Sequence, residues 1–214
     1  MRIIDISQPL RCGNEIACAV PSPLPRYLGH ACEEYRFSFA SHLGCYLETA
    51  GHLFRGGRMT ADVPLAQLFL PAVVARLNPA RRDAITGDEI AAGLGEPVQP
   101  GDALLVDTRS QADRFFARPT AAWMAARKVS LVGASLARYD TGFVNPTGVF
   151  LDWFEAGISI LAGLRNLAHI TCDRVFLIVL PLAIERVSTV PCRAVVLEGE
   201  PGEITWLTQA LHPT

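Results

Sequence analysis

The sequence comprises 214 residues, of which 50% are hydrophobic and 19% are charged, with 19 Lys and Arg residues against 21 Asp and Glu residues. This composition allows a large buried core and excludes an intrinsically disordered chain. The net charge of -2 provides no clustered positive charge for nucleic acid or an anionic membrane surface, so we expect neither partner. The length fits a single domain over residues 1–214, and the low charge with so much apolar surface predicts a homo-oligomer.

Six cysteines are present, without a CxxC pair and without the spacing to histidine that is typical of zinc fingers. The N-terminus has no signal-peptide pattern, and the longest apolar run, 175–184, is interrupted by Pro181 and too short to cross a bilayer. We therefore expect a cytoplasmic protein with reduced thiols. Lys128 is the only lysine, so contacts with anions are expected to be made mainly by arginine guanidinium groups.

Apolar periodicity and helix-capping signals divide the chain into short strands and short helices. A strand is predicted at 2–7, followed by an ordered loop rich in proline and glycine over 8–29. Thr86 and Glu89 have the spacing of a capping box for a helix over 86–94. The other predicted elements are strands at 37–41, 72–77, 103–107, 129–133, 175–180 and 193–197 and helices at 119–128 and 150–156. Because helices and strands do not alternate regularly, the sequence predicts an α/β fold with a mixed, barrel-like sheet flanked by short helices.

The densest group of chemically versatile side chains lies in residues 41–52, where His42, Tyr46, Glu48 and His52 all occupy even positions. In an extended backbone these residues share one face, and in a helical backbone the four-residue steps still pair them. Either conformation brings two imidazoles, a carboxyl and a phenol together, which suffices for general acid/base catalysis. The alternative interpretation, that they are structural polar residues at a strand end, stays open.

Several segments in a shared order resemble the cyclase family of metal-dependent hydrolases, which includes bacterial kynurenine formamidases, isatin hydrolases and polyketide-pathway cyclases. IIDISQPL at 3–10 resembles the opening D-L-[ST]-x-P strand of the family, and PGDALL at 100–105 resembles its G-D-x-[LV]-L strand. Further segments that match in the family's order are GGRM at 56–59 with DVPL at 62–65, GLRNL at 163–167 and PCRA at 191–194. The resemblance covers nearly the whole chain and implies a kynurenine formamidase/cyclase-like fold.

The metal signature of that family, H-x-G-T-H-x-D-x-P-x-H, is altered in this chain. His42 and Gly44 match it, and His52 takes the place of the final histidine, which is the acid/base in the family. The substitutions within the motif are Cys45 for Thr, Tyr46 for the second ligand His, Glu48 for the bridging Asp and Ala50 for Pro.

Two further metal ligands of the family, a His and a Glu twelve residues apart, align with Phe150 and Ala162. Neither side chain can bind a cation, so the binuclear centre is expected to be lost. We therefore predict no cofactor. A residual Zn or Mn ion held by His42 and Glu48 is the alternative.

The resemblance and the remaining polar groups together predict a metal-independent small-molecule cyclase of specialised metabolism, performing ring closure of an aldol or dehydration type. His52 is the predicted general base, Tyr46 and His42 are oxyanion donors or proton relays, and Glu48 orients them. The first alternative is a formamidase-like amide or lactone hydrolase with one residual metal ion. The second is a non-catalytic pseudoenzyme subunit.

Residues that would contact a planar aromatic or polyketide-like substrate are predicted in the loop before Pro119, namely Arg109, Phe115 and Phe116. A solvated lid or an oligomer contact is the other interpretation of this loop. Cys45, between the two histidines, is included as a substrate contact, with a small apolar filler as its alternative.

Overall fold

The computed structural model describes residues 1–13, 16–20, 24–109, 111, 113–142 and 144–211. Its strands are β1 (Arg2–Asp5), β2 (Ala17–Ala19), β3 (Arg26–Tyr27), β4 (His30–Ala31), β5 (Arg36–Ser38), β6 (Tyr46–Glu48), β7 (Phe69–Arg76), β8 (Ala103–Asp107), β9 (Leu131–Ala134), β10 (Ser159–Ala162), β11 (Arg174–Pro181) and β12 (Thr189–Glu198). Its helices are α1 (Gly87–Gly93), α2 (Pro119–Ala126), α3 (Val149–Glu155) and α4 (Pro201–Leu211).

Seven of these strands close into a mixed barrel in the order β12-β11-β7-β8-β9-β10-β6, with β6 pairing back onto β12. The four strands β7 to β10 run parallel to one another, while β6, β11 and β12 pair antiparallel with their neighbours. β1 extends the sheet along the part of β12 that β6 leaves free. The prediction of an α/β fold with a barrel-like mixed sheet is confirmed.

Alternating side chains of the barrel strands form two separate cores. Leu70, Leu105 and Leu177 point into the barrel interior, whereas Leu104 and Val106 lie in an outer core with residues of α1, α2 and α3. Both faces of the parallel strands are therefore covered, which explains why all five residues of β8 are buried.

The start of α1 agrees with its predicted capping signal in part. The side-chain oxygen of Thr86 accepts a hydrogen bond from the backbone N–H of Glu89 at 3.3 Å. The Glu89 carboxylate does not complete the capping box, because both of its oxygens bind the guanidinium of Arg114. Helix α4 and five strands, β2, β3, β4, β6 and β10, were not predicted, and β2 and β3 lie within the segment predicted as a loop at 8–29. Each of these strands has four residues or fewer, which is too short to show an alternating pattern.

The expectation that all cysteines are reduced thiols is wrong for one pair. Cys12 and Cys18 form a disulfide in the segment predicted as a long loop, while Cys32, Cys45, Cys172 and Cys192 are free. Among the described residues, no helix has the length and apolar character needed to cross a membrane.

The ion pair between Arg114 and Glu89 is buried and bidentate, with N–O distances of 2.8 and 2.6 Å. We expect Arg114→Met to lower the free energy of unfolding by about 3 kcal/mol or more, because it leaves the Glu89 carboxylate buried without its main partner. Urea denaturation measures this effect.

The matched control is Arg118→Met, since Arg118 makes a similar bidentate pair with Asp152 in an exposed position. This substitution is expected to lower the free energy of unfolding by less than about 1 kcal/mol. Equal costs for the two variants would contradict the assignment of Arg114 to the structural core.

Candidate active site

Strand β6 and the turn after it carry three of the four clustered side chains. Leu47 points into the barrel interior, whereas Tyr46 packs against the outer core, and Glu48 shares the face of Tyr46 by strand alternation. The chain then forms a 3₁₀ turn over Ala50–His52, which returns His52 toward Glu48. The backbone thus combines the two predicted conformations, extended up to Glu48 and turned beyond it.

Hydrogen bonds to one carbonyl group hold this turn in place. The Thr49 hydroxyl lies 2.6 Å from the Arg58 carbonyl oxygen, and the backbone N–H of Gly51 donates to the same oxygen at 3.0 Å. Thr49 is fully buried and was not identified from the sequence, although a polar residue directly after Glu48 in the motif was a usable signal. It acts as a positioning residue for the turn that bears His52.

The loop that carries His42 is anchored by a close approach of two glycines. Gly44 has φ +61° and Gly163, directly after β10, has φ +67°. A Cβ added to Gly163 would overlap the carbonyl oxygen of Gly44. Only glycine permits this contact, which fixes the His42 loop against the end of β10.

Glu48 lies between the two imidazoles. Its Oε2 is 3.6 Å from Nε2 of His42, and its Oε1 is 3.4 Å from Nε2 of His52. The rings of His42 and His52 are 5.0 Å apart, and the ring of Tyr46 is 5.2 Å from that of His42. The structure therefore brings together all four residues singled out from the sequence.

Burial determines the ionisation of this cluster. It raises the pKa of Glu48 to about 7, and it lowers the pKa of both His42 and His52. Burial, and then the charge of Glu48, raises the pKa of Tyr46 to about 12. Near neutral pH both imidazoles are uncharged, so their contacts with Glu48 are not salt bridges, and the Tyr46 phenol remains a hydrogen-bond donor.

The donor set fits one divalent cation. One ligand atom from each of His42, Glu48 and His52 lies within 4.8 Å of the others, and Glu48 Oε1 is buried without a hydrogen-bond partner among the described residues. Two neutral imidazoles and a carboxylate are a donor set found in mononuclear zinc enzymes. His52 is a third donor that the predicted pair of His42 and Glu48 did not include.

At the positions aligned with the second site of a binuclear centre, the described residues offer no such donors. Tyr46 keeps its proton near neutral pH, and Phe150 and Ala162 have apolar side chains at the other two aligned positions. Phe150 packs against the outer core, and Ala162 is a buried residue paired with Tyr46 in the sheet.

Two of the predicted substrate contacts are core residues instead. Phe116 has no exposed surface and packs edge-on against Tyr139 and Trp153 of the outer core. Cys45 is buried on the interior side of the barrel, with its Sγ 3.6 Å from that of Cys192. Because strand side chains alternate, Cys45 points away from the face that carries Tyr46 and Glu48.

The other two predicted contacts lie on less buried parts of the surface. Arg109 is exposed, and its Nε is 3.2 Å from Oδ2 of Asp107, while Phe115 is half-buried. Among the described residues, no hydrogen bond, ion pair or ring contact joins either of them to the four clustered side chains.

The structure is thus a closed mixed α/β barrel with the cluster of His42, Glu48 and His52 on the outer face of the sheet. The Cyclase family model, described as "Putative cyclase", matches residues 4–141. The match covers more than half of the chain, so the chain belongs to the cyclase family that the sequence motifs resemble.

Solved structures confirm the fold. A potential metal-dependent hydrolase with cyclase activity superposes with a TM-score of 0.75 at 22% identity, covering 94% of this chain and 99% of the other. A predicted metal-dependent hydrolase from Bacillus stearothermophilus gives 0.72 at 21% identity, covering 92% and 98%. An isatin hydrolase bound to the product analogue thioisatinate gives 0.71 at 18% identity, covering 92% of each chain. Among curated proteins, no relative matches the chain.

Proposed function

We propose that this protein is a small-molecule cyclase of specialised metabolism that closes a ring by acid/base catalysis, without the binuclear metal centre of its family. Its substrate is an aromatic or polyketide-like molecule with an activated C–H group and a carbonyl group. The observation that carries this proposal is the convergence of His42, Tyr46, Glu48 and His52 in one partly buried cluster. The side chains of His42 and His52 remain 42% and 26% exposed, so a substrate can reach them.

The free ring nitrogens distinguish the two histidines. Nε2 of each histidine faces Glu48, but Nδ1 of His42 is also 3.0 Å from the Ser41 hydroxyl. Among the described residues, Nδ1 of His52 has no such partner. His52 is therefore the general base, with Nδ1 as the atom that accepts a proton and Glu48 as the group that stabilises the resulting imidazolium.

Ring closure requires a proton to be removed and an oxyanion to be stabilised. His52 Nδ1 removes a proton from the activated carbon, and the Tyr46 hydroxyl donates a hydrogen bond to the enolate oxygen that forms. The enolate carbon attacks the carbonyl carbon of the same molecule, and the protonated His52 returns its proton to the new alkoxide. In a dehydration, the enolate electrons form a carbon–carbon double bond while the C–O bond of a β-hydroxyl group breaks, and the protonated His52 gives its proton to this hydroxyl group, which leaves as water.

A second candidate function is an amide or lactone hydrolase with one divalent ion. The buried, unpartnered Glu48 Oε1 supports it, because a cation held by His42, Glu48 and His52 would satisfy that oxygen. Such an ion, Zn or Mn, supplies a bound water of lowered pKa and polarises a carbonyl group. In this function Tyr46 stays outside the ligand set and donates to the substrate.

Proton exchange tests the proposal without knowledge of the natural substrate. With a soluble 1,3-diketone, we expect deuterium exchange at the activated carbon to survive treatment with EDTA. His52→Ala should lower the exchange rate about 10²- to 10⁴-fold, and Tyr46→Phe about 10²-fold. His169→Gln is the control, since His169 lies in a separate 3₁₀ turn, Leu167–His169.

Two results would overturn this proposal. Stoichiometric Zn or Mn, with exchange lost in EDTA and hydrolysis of isatin or N-formylkynurenine restored by the ion, would establish the hydrolase. Turnover that none of the variants changes would contradict the catalytic assignment of the cluster, and turnover that appears only with a partner protein would indicate the pseudoenzyme subunit.

We also propose that the chain forms a single domain over 1–214 and assembles as a homo-oligomer. Tyr27, Leu28 and Phe37 are large apolar side chains with more than half of their surface exposed, which supports contacts with further copies.

A further inference from the structure

A cavity of about 620 Å³ lies at the end of the barrel where the parallel strands begin. Its size is that of sites for small organic ligands. The cavity is separate from the cluster of His42, Glu48 and His52, because none of these three residues lines it. Its apolar wall is formed by Val63, Leu68, Leu70, Val129 and Leu131, and its polar side chains include Arg58, Lys128, Ser130, Ser159 and Thr208.

Arg58 contributes a positive charge without a counter-charge. Its Nη1 donates to Oε1 of Gln67 at 2.8 Å and its Nη2 donates to Oγ of Ser159 at 3.2 Å. Both partners are neutral, and the ion pairs of the described residues do not include Arg58. These two hydrogen bonds hold the guanidinium at the cavity and leave three of its five N–H groups for a ligand.

Lys128, the only lysine of the chain, provides the second charge. It has φ +55°, a conformation that L residues seldom adopt, directly after the end of α2. Its backbone is held there because its N–H donates to Ala125 and its carbonyl accepts from Gly101. A position of this kind is usually occupied by glycine. Lys128 is exposed and lines the cavity, in a backbone conformation that is strained for an L residue.

We propose that this cavity binds a small organic carboxylate, with the carboxylate on Arg58 and Lys128 and the apolar body on the leucine-rich wall. A guanidinium group offers two parallel N–H donors to a carboxylate, which matches the planar geometry of that anion. The hydroxyl groups of Ser130 and Thr208 donate to backbone carbonyl groups, so the N–H donors for the carboxylate are those of Arg58 and Lys128.

Arg58 also connects the cavity to the active site. Its carbonyl oxygen accepts the hydrogen bonds from Thr49 and Gly51 that hold the turn before His52. A ligand bound to the guanidinium of Arg58 therefore contacts the same residue whose carbonyl group holds this turn. Occupation of the cavity changes the environment of His52, and the cavity is an effector site for the cluster.

Calorimetric titration with sodium benzoate tests the binding, and it measures no turnover, so its result stands apart from the proposed function. We expect Arg58→Gln and Lys128→Gln each to weaken binding at least tenfold. Arg55→Gln should leave it unchanged, because Arg55 is an exposed arginine of the same loop outside the cavity. His52→Gln should also bind benzoate normally.

Several outcomes would overturn the proposal. Benzoate binding that disappears in His52→Gln but persists in Lys128→Gln would place the ligand at the active site. Equal affinities in the Arg58, Lys128 and Arg55 variants, or equal binding of inorganic phosphate, would show an unspecific charge effect. A change of oligomeric state in Lys128→Gln without benzoate binding to the parent would assign the cavity to a contact between copies. If Arg58→Gln fails to fold, Lys128→Gln decides the result.

NMR spectra of the histidine rings test the connection. Benzoate should shift the His52 signal, identified by its loss in His52→Gln, and should leave the His169 signal in place. Binding without a shift of the His52 signal would contradict the effector role.

Discussion

Glu48→Gln is expected to lower turnover about 10²- to 10⁴-fold and, in protein treated with EDTA, to raise the melting temperature at pH 8. The loss of turnover follows because an amide cannot stabilise the imidazolium of His52 or act as an anionic ligand. The gain in stability follows because a buried carboxylate, with one oxygen lacking a hydrogen-bond partner, is replaced by a neutral group of the same shape.

The pH dependence of this gain follows from the pKa of Glu48, which is raised from 4.5 to about 7. Because the pKa of Glu48 is higher in the folded protein than in the unfolded chain, the protonated carboxyl group favours folding. This contribution is complete below the pKa of the unfolded chain, and it is lost as the pH rises through the pKa of the folded protein. We therefore expect no gain for Glu48→Gln near pH 4.5 and a gain of about 2 to 3 kcal/mol at pH 8. For a chain of this length that corresponds to roughly 4–12 °C.

Thermal denaturation at several pH values measures the effect, with Glu185→Gln as the control on an exposed carboxyl group. The control should change the melting temperature by less than about 1 °C. A lower melting temperature for Glu48→Gln at pH 8 would show that Glu48 is a structural partner of the histidines, which was the alternative interpretation of the motif.

Gly163→Ala is expected to lower both stability and turnover. The methyl group would overlap the carbonyl oxygen of Gly44, and the positive φ of +67° adds backbone strain for an L residue. Together these effects should lower the free energy of unfolding by about 3 kcal/mol or more. The forced shift of Gly44 moves the neighbouring His42, and a displacement of about 1 Å lowers turnover about 10²-fold.

Gly157→Ala is the matched control for this substitution. Gly157 has a similar φ of +77°, but a Cβ added there would meet no atom within 4 Å. Conformational strain alone is therefore expected to lower the free energy of unfolding of Gly157→Ala, by about 1 kcal/mol, and turnover should be unchanged. Urea denaturation and the deuterium exchange assay measure both variants. Equal costs for the two alanines would show that the glycine contact does not position the His42 loop.

Sequence patterns over a few residues predicted the elements that depend on residues close along the chain. The start of α1 follows from Thr86, whose side chain makes its predicted capping contact three residues along the chain. The residues of β8 were predicted without error, because a short apolar run is sufficient to indicate a strand covered on both faces. β6 was not predicted, because it has only three residues and is defined by pairing with β10 and β12, which lie far along the chain.

The same distinction applies to the predicted substrate contacts. Arg114 and Phe116 lie in a polar, arginine-rich stretch that has the composition of a surface loop. Burial there depends on partners from other elements, since Arg114 binds Glu89 of α1 and Phe116 packs on Trp153 of α3. A sequence pattern does not show such partners, so residues of this loop were predicted to contact a substrate, with a solvated lid or an oligomer contact as the alternative.

The sequence by itself determined the family, the barrel-like α/β fold and the four side chains of the cluster, because motif spacing and alternation act over a few residues. The tertiary structure decided the rest. It placed Nε2 of His52 3.4 Å from Oε1 of Glu48, left Nδ1 of His52 without a hydrogen-bond partner among the described residues, and turned Cys45 toward the interior. These features depend on the direction of side chains after a strand ends and on contacts between distant segments, which only the folded chain brings together.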